Sequence, residues 1–416
     1  MKKMTASERS WAFYDWANSA YTLIVVTAIL PLYFKSSATQ SGIDAATSTA
    51  YWGYANSFST LIVSILAPIL GTIADFKGFK KRFFIIFATL GVIFTLMLAV
   101  VPSDQWLVIL ICFIVTSIGF TGANIFYDSF LVDVTTEERM DRISANGYAL
   151  GYVGSIIPFI ISIALIMTAQ LNILPLSVTI ASQIAFVITA LWWGFFTIPM
   201  LKNVEQRYYV ERVPNPVSTS FKKLYSTFKN IKAYKPLFIF LIAYFFYIDG
   251  VHTVINMSTA FGSDLGISST TLLIILFMTQ VVAAPFTVLF GRLGGKYSEK
   301  TMIMVGIFIY IIVCFYAYFL DSALDFWILA MLVGTSQGGI QAMSRSYFAK
   351  LVPKESSNEF FGFYSIFGKF AAIIGPLLVG VTAQYTGNTN SGVFSLVILF
   401  IIGAIILLYV PKPDAK

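Results

Sequence analysis

Long apolar stretches recur along the whole chain and are separated by short polar segments. Each stretch is about 20 residues long and almost free of charge, which is what an α-helix needs to cross about 30 Å of hydrocarbon. The pattern therefore predicts an all-α membrane protein and leaves no segment for a sizeable soluble domain. Twelve membrane-spanning helices are predicted, at approximately residues 10–34, 51–74, 83–101, 106–132, 143–168, 176–199, 236–261, 270–290, 301–319, 326–349, 358–383 and 392–411.

The composition agrees with a membrane protein and argues against an enzyme. Of the 416 residues, 57% are hydrophobic and 11% are charged, whereas soluble domains carry about 25% charged residues. One histidine and two separated cysteines give no zinc-binding spacing, and no G-x-x-x-x-G-K-[ST] loop occurs. We therefore predict no enzymatic activity, no metal and no other cofactor.

The basic residues predict which ends of the helices face the cytoplasm. The formal net charge is +7, and all but three of the 27 Lys and Arg residues lie at the termini or in alternate loops. The exceptions are Lys35, Arg345 and Lys369. This alternation follows the positive-inside rule, so both termini and the long loop 201–235 are predicted to be cytoplasmic. Because topology accounts for the basic charge, we predict no nucleic-acid partner.

Sequence echoes divide the chain into two related halves. D-S-F-L-V-D-V-T-T-E-E, which begins at Asp128, is echoed 217 residues later by R-S-Y-F-A-K-L-V-P-K-E, which begins at Arg345. The loop that begins at Gly71 is echoed by the loop that begins at Gly291. We therefore predict two six-helix pseudo-repeats, residues 1–200 and 236–416, joined by a basic linker at residues 201–235.

The linker itself carries a helical pattern. Apolar residues repeat at helical spacing, and the lysines lie largely away from them. The pattern predicts an amphipathic helix on the inner leaflet of the membrane, although a regulatory partner helix stays an alternative. The apolar positions are Phe221, Leu224, Tyr225, Phe228 and Ile231.

Four predicted spans carry polar stripes. Asp15, Asn18 and Thr22 lie at i, i+3 and i+7 in span 1, on one helical face. The same spacing recurs in span 7, a two-residue stripe at i and i+4 occupies span 4, and span 10 carries polar residues at i, i+4 and i+8. Polar side chains in a membrane helix must face protein or water rather than lipid, so these stripes predict a shared central cavity. Its predicted lining residues are Asp15, Asn18, Asn124, Asp249, Asn256, Gln337, Gln341 and Lys369.

The ionisable residues of these stripes suggest roles in transport. Asp249 and His252 are one turn apart, an arrangement that suits a proton relay. Asp128 and Arg345 lie near the inner ends of spans 4 and 10 and could pair across a cytoplasmic gate. Packing roles stay open for the amides, as do a structural pair of Asp249 with Lys369 and a hydrogen-bonded core role for His252.

The loop after span 2 resembles a family signature. Its sequence, G-T-I-A-D-F-K-G-F-K-K-R, resembles the signature loop of the major facilitator superfamily. Gly71, Asp75 and Gly78 match it, as do Lys80 and Lys81. The resemblance implies the twelve-helix major facilitator fold, and it implies that this loop is a cytoplasmic latch in which Asp75 helps to hold the two halves together.

Further motifs resemble one branch of that superfamily. They are Y-D-W-A-N-S-A-Y in span 1, Y-I-D-G in span 7, and Q-G-G-I-Q-A-M-S-R-S followed by F-F-G-F-Y-S-I-F-G-K. These motifs resemble the fungal vacuolar effluxers linked to autophagy and their bacterial relatives. The resemblance implies efflux of amino acids or similar small metabolites.

The sequence therefore predicts a secondary active transporter that works by alternating access. Its expected partners are a small zwitterionic or amphipathic substrate, protons as a candidate coupling ion, and the lipid bilayer, and it is expected to be a monomer. Short outer loops favour a bacterial plasma membrane over a vacuole. A drug or bile-type exporter, a lipid-translocating protein and a receptor stay open as alternatives.

Overall fold

The computed structural model of the chain describes residues 3–211, 213–214, 216–229, 231–264 and 266–411. Helices dominate these residues. Those of the first half, residues 3–203, are α1 (Ala6–Ala20), α2 (Leu30–Gln40), α3 (Ala45–Ala74), α4 (Phe79–Met97), α5 (Trp106–Ser129), α6 (Leu131–Val134), α7 (Glu137–Gln170) and α8 (Val178–Asn203). Those that follow are the linker helix α9 (Pro216–Lys229) and, in the second half, residues 235–411, α10 (Lys235–Asp264), α11 (Ser269–Tyr297), α12 (Glu299–Tyr318), α13 (Ala323–Leu351), α14 (Ser357–Phe370), α15 (Ile374–Thr386), α16 (Thr389–Ser395) and α17 (Val397–Leu408).

The helical segments confirm the membrane-spanning character of the chain. Eleven of them, in the described residues, are long and apolar enough to cross a membrane. Each overlaps a predicted span. The remaining predicted span, 83–101, overlaps α4, which has 19 residues and carries three basic residues, Lys80, Lys81 and Arg82, in its first turn.

Several helices begin where a polar side chain satisfies free backbone donors. Thr5 and Glu8 form a capping box at the start of α1. Asp44, Ser177 and Ser268 accept backbone N–H groups at the starts of α3, α8 and α11. These caps lie at the ends of apolar runs, so local sequence and hydrophobic length agree on where the helices begin.

Two predicted spans are interrupted within the bundle. Span 1 passes from α1 through a π-helical segment, Tyr21–Ala28, into α2. Span 11 is divided into α14 and α15 by a break at residues 371–373. Pro376 explains the second interruption, because proline has no N–H and its ring clashes with the carbonyl four residues before it. Such irregular backbone is tolerated at membrane depth where it faces protein or a cavity.

The two halves pack closely through α7 against α11 and α3 against α14. Glycines permit the approach. A methyl group at Gly71 would overlap the Asn358 carbonyl oxygen, and one at Gly362 would lie 2.7 Å from the Ala67 carbonyl oxygen. These close contacts lie at the end of the bundle where the segment between α8 and α10 is found, which we call the linker end.

The linker helix α9 packs on α3 at the linker end. Its inward face includes Ser220, which is buried, and Leu224, which packs against the core. Phe221 and Tyr225 face outward, with exposed fractions of 51% and 71%. The spacing thus correctly predicted a helix here, although the side chains of Phe228 and Ile231 lie outside the described part of the chain.

Candidate transport site

Arg345 forms the centre of a polar network between the halves. It lies on α13, is 1% exposed, and contacts residues of the first half. Its Nη1 donates to Asp128 at 2.9 Å, and its Nη2 donates to Asp15 at 3.3 Å. Its Nε donates to the Ser144 hydroxyl at 3.0 Å, and Nη2 also donates to the Ser144 carbonyl oxygen at 2.9 Å. The guanidinium therefore joins α13 to α1, α5 and α7.

Aromatic rings surround this guanidinium. Its carbon lies 4.7 Å from the ring centre of Trp11 and 4.3 Å from that of Tyr148. The Tyr127 hydroxyl donates to Asp15 at 2.7 Å, and the Trp11 indole N–H donates to the Tyr127 carbonyl oxygen at 2.8 Å. Arginine suits this place because its planar group combines stacking with several directed hydrogen bonds. Buried charge is tolerated here because Asp15 and Asp128 both pair with it.

The amide side chains of the predicted stripes lie in two places, one within each half of the chain. Asn18 donates to Asn124 at 2.6 Å, so these two residues join α1 to α5 within the first half. Gln341 donates to the carbonyl oxygen of Gln337 in its own helix. The side-chain nitrogen of Gln337 is buried and has no hydrogen-bond partner in the described part of the chain. Gln337 lines a cavity of about 60 Å³ between α10, α11 and α13.

Asp249 caps the second piece of the interrupted span 11. Its two carboxylate oxygens accept the Gly375 backbone N–H at 3.0 and 2.9 Å, and the Thr253 hydroxyl donates to it at 3.4 Å. Gly375 lies in the first turn of α15, where free N–H groups favour a negative charge. Asp249 is fully buried. Among the described residues no ion pair joins it to Lys369, so the structural pair considered from sequence is not observed.

Lys369, His252 and Asn256 lie outside these hydrogen-bonded groups. Lys369 lies in the last turn of α14 and is exposed, Asn256 on α10 is exposed, and His252 is half-buried one turn before Asn256. The described part of the chain offers none of the three a hydrogen-bond partner.

At the linker end, Asp75 binds both the second half and the linker. Its carboxylate accepts the Asn358 backbone N–H and side-chain amide, each at 3.0 Å, and the Lys223 ammonium at 3.1 Å. Lys223 also lies 3.2 Å from the buried Glu359. Burial raises the pKa of Asp75 to about 6, although Lys223 and Asn358 oppose that rise. Burial lowers the pKa of Lys223, but Asp75 and Glu359 outweigh that effect and raise it.

We expect Asp75 to contribute a pH-dependent stability. Its raised pKa means that the native protein binds a proton between about pH 4 and 6 where the unfolded chain does not, so its contribution falls as pH rises through that window. Asp75→Asn should therefore gain thermal stability relative to wild type on going from pH 5 to pH 7, by about 1 kcal/mol. Thermal unfolding of both proteins in detergent measures the difference, and parallel pH profiles would contradict it.

The rest of the signature loop supports this contact. Gly78 has φ 79°, a left-handed conformation that glycine adopts without strain, and its N–H donates to Gln206 at 2.9 Å. Lys80 is fully buried, binds Asp133 at 2.6 Å and donates to Ser357 of the second half at 3.1 Å. The loop therefore holds the linker segment on one side and α14 on the other.

An ion pair like that of Lys80 and Asp133 occurs in the second half with its charges exchanged. There Glu299, at the start of α12, pairs with Lys350 near the end of α13. Lys350 also binds Asp141 of the first half at 3.0 Å. The echo that begins at Asp128 and Arg345 aligns Asp133 with Lys350, so sequence could have revealed this correspondence.

Sequence reasoning missed other members of the network. Ser144, Glu359 and Lys223 were not singled out, because a serine, an acid near a helix start and a lysine in a basic linker are common features of membrane proteins. Their partners lie more than 130 residues away in the chain. Tertiary contacts of this kind carry no local signal.

Comparison with known proteins agrees with this architecture. The family model "Vacuole effluxer Atg22 like" matches residues 5–416. Over 412 residues the chain is 62% identical to "Uncharacterized MFS-type transporter YxiO" of Bacillus subtilis (strain 168), a match that covers 99% of this chain and 96% of that protein. It is 26% identical over 378 residues to autophagy-related protein 22 of Kluyveromyces lactis, covering 83% of this chain and 75% of that protein.

A solved structure shows the same fold. The major facilitator superfamily transporter FucP, in its outward conformation, superposes with a TM-score of 0.70 at 12% identity, over 98% of this chain and 99% of that one. At that identity the likeness concerns the fold alone. The relatives are transporters rather than enzymes. Together with the matched family model, they show that the chain belongs to the Atg22-like effluxer family of the major facilitator superfamily.

Proposed function

We propose that the protein is a secondary active transporter of the bacterial plasma membrane that exports a small amino-acid-like or amphipathic metabolite by alternating access. Its twelve spans form two six-helix bundles, and the linker end, with both termini, faces the cytoplasm. The observation that carries the proposal is Arg345, which the second half places between Asp15 and Asp128 of the first half.

This arrangement suits a gate because it has two discrete states. With the linker end closed, Arg345 and its two carboxylates are buried and paired. When the halves rock apart, all three groups become solvated. The charged groups are therefore stabilised in both states, by pairing when closed and by water when open, and the intermediate between the two states is unfavourable. Closure at the linker end leaves the opposite side for substrate exchange, which is the outward-facing state of the cycle.

The linker supports the same gate. Lys223 of α9 reaches Asp75 of the first half and Glu359 of the second, two carboxylates that would otherwise repel each other. Because the Lys223 ammonium lies between the two carboxylates and offsets their repulsion, the docking of α9 favours closure. We assign Gly71, Asp75, Gly78, Asp128 and Arg345 to this cytoplasmic gate.

We assign proton coupling to Asp249, with His252 beside it. A protonated Asp249 would no longer offer two anionic acceptors to Gly375, so uptake of a proton would loosen the start of α15. That piece of span 11 connects directly to α14, which packs on α3 of the other half. Protonation can therefore change how the halves meet.

Asp249→Asn tests this assignment. In proteoliposomes with an imposed pH gradient, amino acids, short peptides and bile-type amphiphiles are screened while an internal dye reports pH. We expect substrate-dependent proton flux in the wild type and its loss in Asp249→Asn, with downhill substrate exchange retained. Asp321→Asn, which removes an exposed carboxylate between α12 and α13, checks that loss of a negative charge alone does not produce the effect.

Unchanged proton flux in Asp249→Asn would remove this residue as the coupling group. If the wild type moved neither substrate nor protons for any substrate class, the result would count against transport itself. It would favour a receptor or a lipid-translocating protein.

A further inference from the structure

One pocket on the first half holds the Arg345 guanidinium. Among the described residues, every side chain that bonds to this group or places a ring near it lies on α1, α5 or α7. We call these side chains the guanidinium pocket: Trp11, Asp15, Tyr127, Asp128, Ser144 and Tyr148. Because Arg345 itself lies on α13 of the second half, the pocket and its occupant separate when the halves rock apart.

Contacts that do not involve Arg345 hold the pocket together. The Tyr127 hydroxyl donates to Asp15 at 2.7 Å, and the Trp11 indole N–H donates to the Tyr127 carbonyl oxygen at 2.8 Å. The Trp11 and Tyr127 rings are stacked, with their centres 4.6 Å apart and an angle of 16° between their planes. All three residues are buried. The pocket therefore keeps this part of its shape after Arg345 leaves.

The pocket matches a planar cation with three nitrogens. Asp128 accepts Nη1 at 2.9 Å, Asp15 accepts Nη2 at 3.3 Å, and the Ser144 hydroxyl accepts Nε at 3.0 Å. The ring centre of Tyr148 lies 4.3 Å from the guanidinium carbon. A guanidinium combines several coplanar N–H donors with stacking on aromatic rings, whereas an ammonium has a single nitrogen and no plane. The pocket therefore favours a guanidinium over an ammonium.

Gly147 leaves the space that the cation needs. A methyl group on this residue would lie 2.5 Å from Asp15 Oδ2 and 3.1 Å from Arg345 Nη2. Glycine is unfavourable within a helix, and Gly147 lies inside α7. Its position beside both the carboxylate and the guanidinium indicates that the pocket, rather than the helix, requires a glycine.

Without Arg345 the pocket would carry two uncompensated negative charges. Among the described residues, Arg345 is the only ion-pair partner of Asp15 and of Asp128. Two neighbouring carboxylates repel each other, so a monovalent cation in the place of Arg345 would lower the free energy of the open state. A neutral molecule of the same shape would not do so, and an anion would raise that free energy.

We propose that the guanidinium pocket binds the cationic end of the transported substrate while the linker end is open. The site rests on the proposed transport function and narrows its substrate class to small guanidinium cations. Arg345 and the substrate then compete for one set of contacts. When the linker end closes, Arg345 re-enters the pocket, and the substrate is displaced toward the opposite side of the membrane.

Probes of similar shape test the requirements for charge and planarity. Full-length Arg345→Ala, in which the pocket has no tethered occupant, is titrated in phosphatidylcholine nanodiscs with butylguanidinium, butylurea and butylammonium. We expect butylguanidinium to bind at least tenfold more tightly than either of the others, and at least tenfold more tightly than it binds to wild type. Arginine, citrulline and lysine repeat the comparison on one amino-acid backbone.

Further variants locate the bound probe. In the Arg345→Ala background, Asp128→Asn should weaken butylguanidinium binding at least tenfold, because a charge-assisted hydrogen bond is lost, and should leave butylurea binding unchanged. Tyr148→Leu should weaken butylguanidinium binding roughly three- to thirtyfold through loss of the ring contact. Asp104→Asn, at an exposed carboxylate of the same half, is the matched control and should leave binding unchanged.

Wild type tests the competition with Arg345. Spin labels at Arg82 and Lys296, in protein lacking Cys112 and Cys314, report the distance across the linker end. We expect butylguanidinium to increase the fraction of protein with the longer distance, and butylurea to have no effect. This measurement does not depend on the folding of Arg345→Ala.

Three results would overturn the site: equal binding of butylguanidinium and butylurea by folded Arg345→Ala, preferred binding of butylammonium, or unchanged label distances in wild type. Flux of labelled arginine and other solutes across proteoliposomes separates this site from the proposed function. Guanidinium binding without flux of any solute would leave the site and refute transport. Proton-coupled flux of other solutes, without guanidinium binding, would leave transport and refute the site.

Discussion

Replacing Arg345 by methionine should abolish transport and destabilise the closed linker end. The change removes the cation that pairs with Asp15 and Asp128 while both carboxylates stay buried between the halves. Breaking a buried ion pair by removing one partner costs about 3–5 kcal/mol. Because the carboxylates are relieved when the linker end opens, most of that cost should fall on the closed state, and the protein should populate the open state instead.

Substrate flux in proteoliposomes and accessibility of a cysteine at the linker end measure the two effects. Arg345→Lys keeps the charge but cannot form the same set of directed bonds, so we expect partial transport. Arg292→Met, at an exposed arginine of α11, is the matched control and should transport normally. Normal flux with unchanged accessibility in Arg345→Met would mean that the network does not hold the gate.

Replacing Lys80 by methionine should also give a large loss of stability. Lys80 and Asp133 are both fully buried, at a separation of 2.6 Å. Without the ammonium, Asp133 stays held by the backbone N–H groups of Arg207 and Tyr208 but loses its counter-ion. We expect a loss of about 3–5 kcal/mol, together with weaker closure, because Lys80 also donates to Ser357.

The neighbouring lysine provides the control for this change. Lys81 is half-buried and belongs to the same signature loop, and Lys81→Met should change stability by less than about 0.5 kcal/mol. Thermal unfolding in detergent compares the three proteins, and the double variant Lys80→Met with Asp133→Asn should recover part of the loss. Equal effects at Lys80 and Lys81 would show that the loop responds to total charge and not to this pair.

The sequence was sufficient for the helices and for part of the network. Hydrophobic length predicts the spans because each must cross the same thickness of hydrocarbon. The stripes locate Asp15, Asp128 and Arg345 because charge is costly in lipid and must find a partner. The sequence repeat aligns Asp128 with Arg345 at an offset of 217 residues. The Arg345 Nη1 atom does lie 2.9 Å from the Asp128 carboxylate.

Other features could not be derived in this way. The hydrophobic pattern predicts span 11 as one helix, so its interruption at residues 371–373 was not predicted, although Pro376 offered a local signal. Asp249 was expected to face a substrate, whereas its carboxylate binds the Gly375 N–H at that interruption. Whether a buried carboxylate meets a helix terminus, a cation or a ligand depends on packing between distant segments.

The linker shows the same limit. Its amphipathic spacing predicted a helix, and α9 is that helix. The spacing could not show that Lys223 reaches between Asp75 and Glu359, because those acids belong to α3 and α14 in opposite halves. Charge patterns within one segment indicate how it meets solvent or lipid, and they carry no information about a specific partner.

The central claim is alternating access, in which the linker end opens and closes. Distances between spin labels at both ends of the bundle test this claim most directly. In protein lacking Cys112 and Cys314, labels at exposed positions Arg82 and Lys296 report the linker end. Labels at Leu171 and Leu324 report the opposite end. We predict two populations at each end, with the linker end opening as the opposite end closes, and Arg345→Met favouring the open linker end. One unchanging distance at both ends, in wild type and variant and at every pH, would contradict the account.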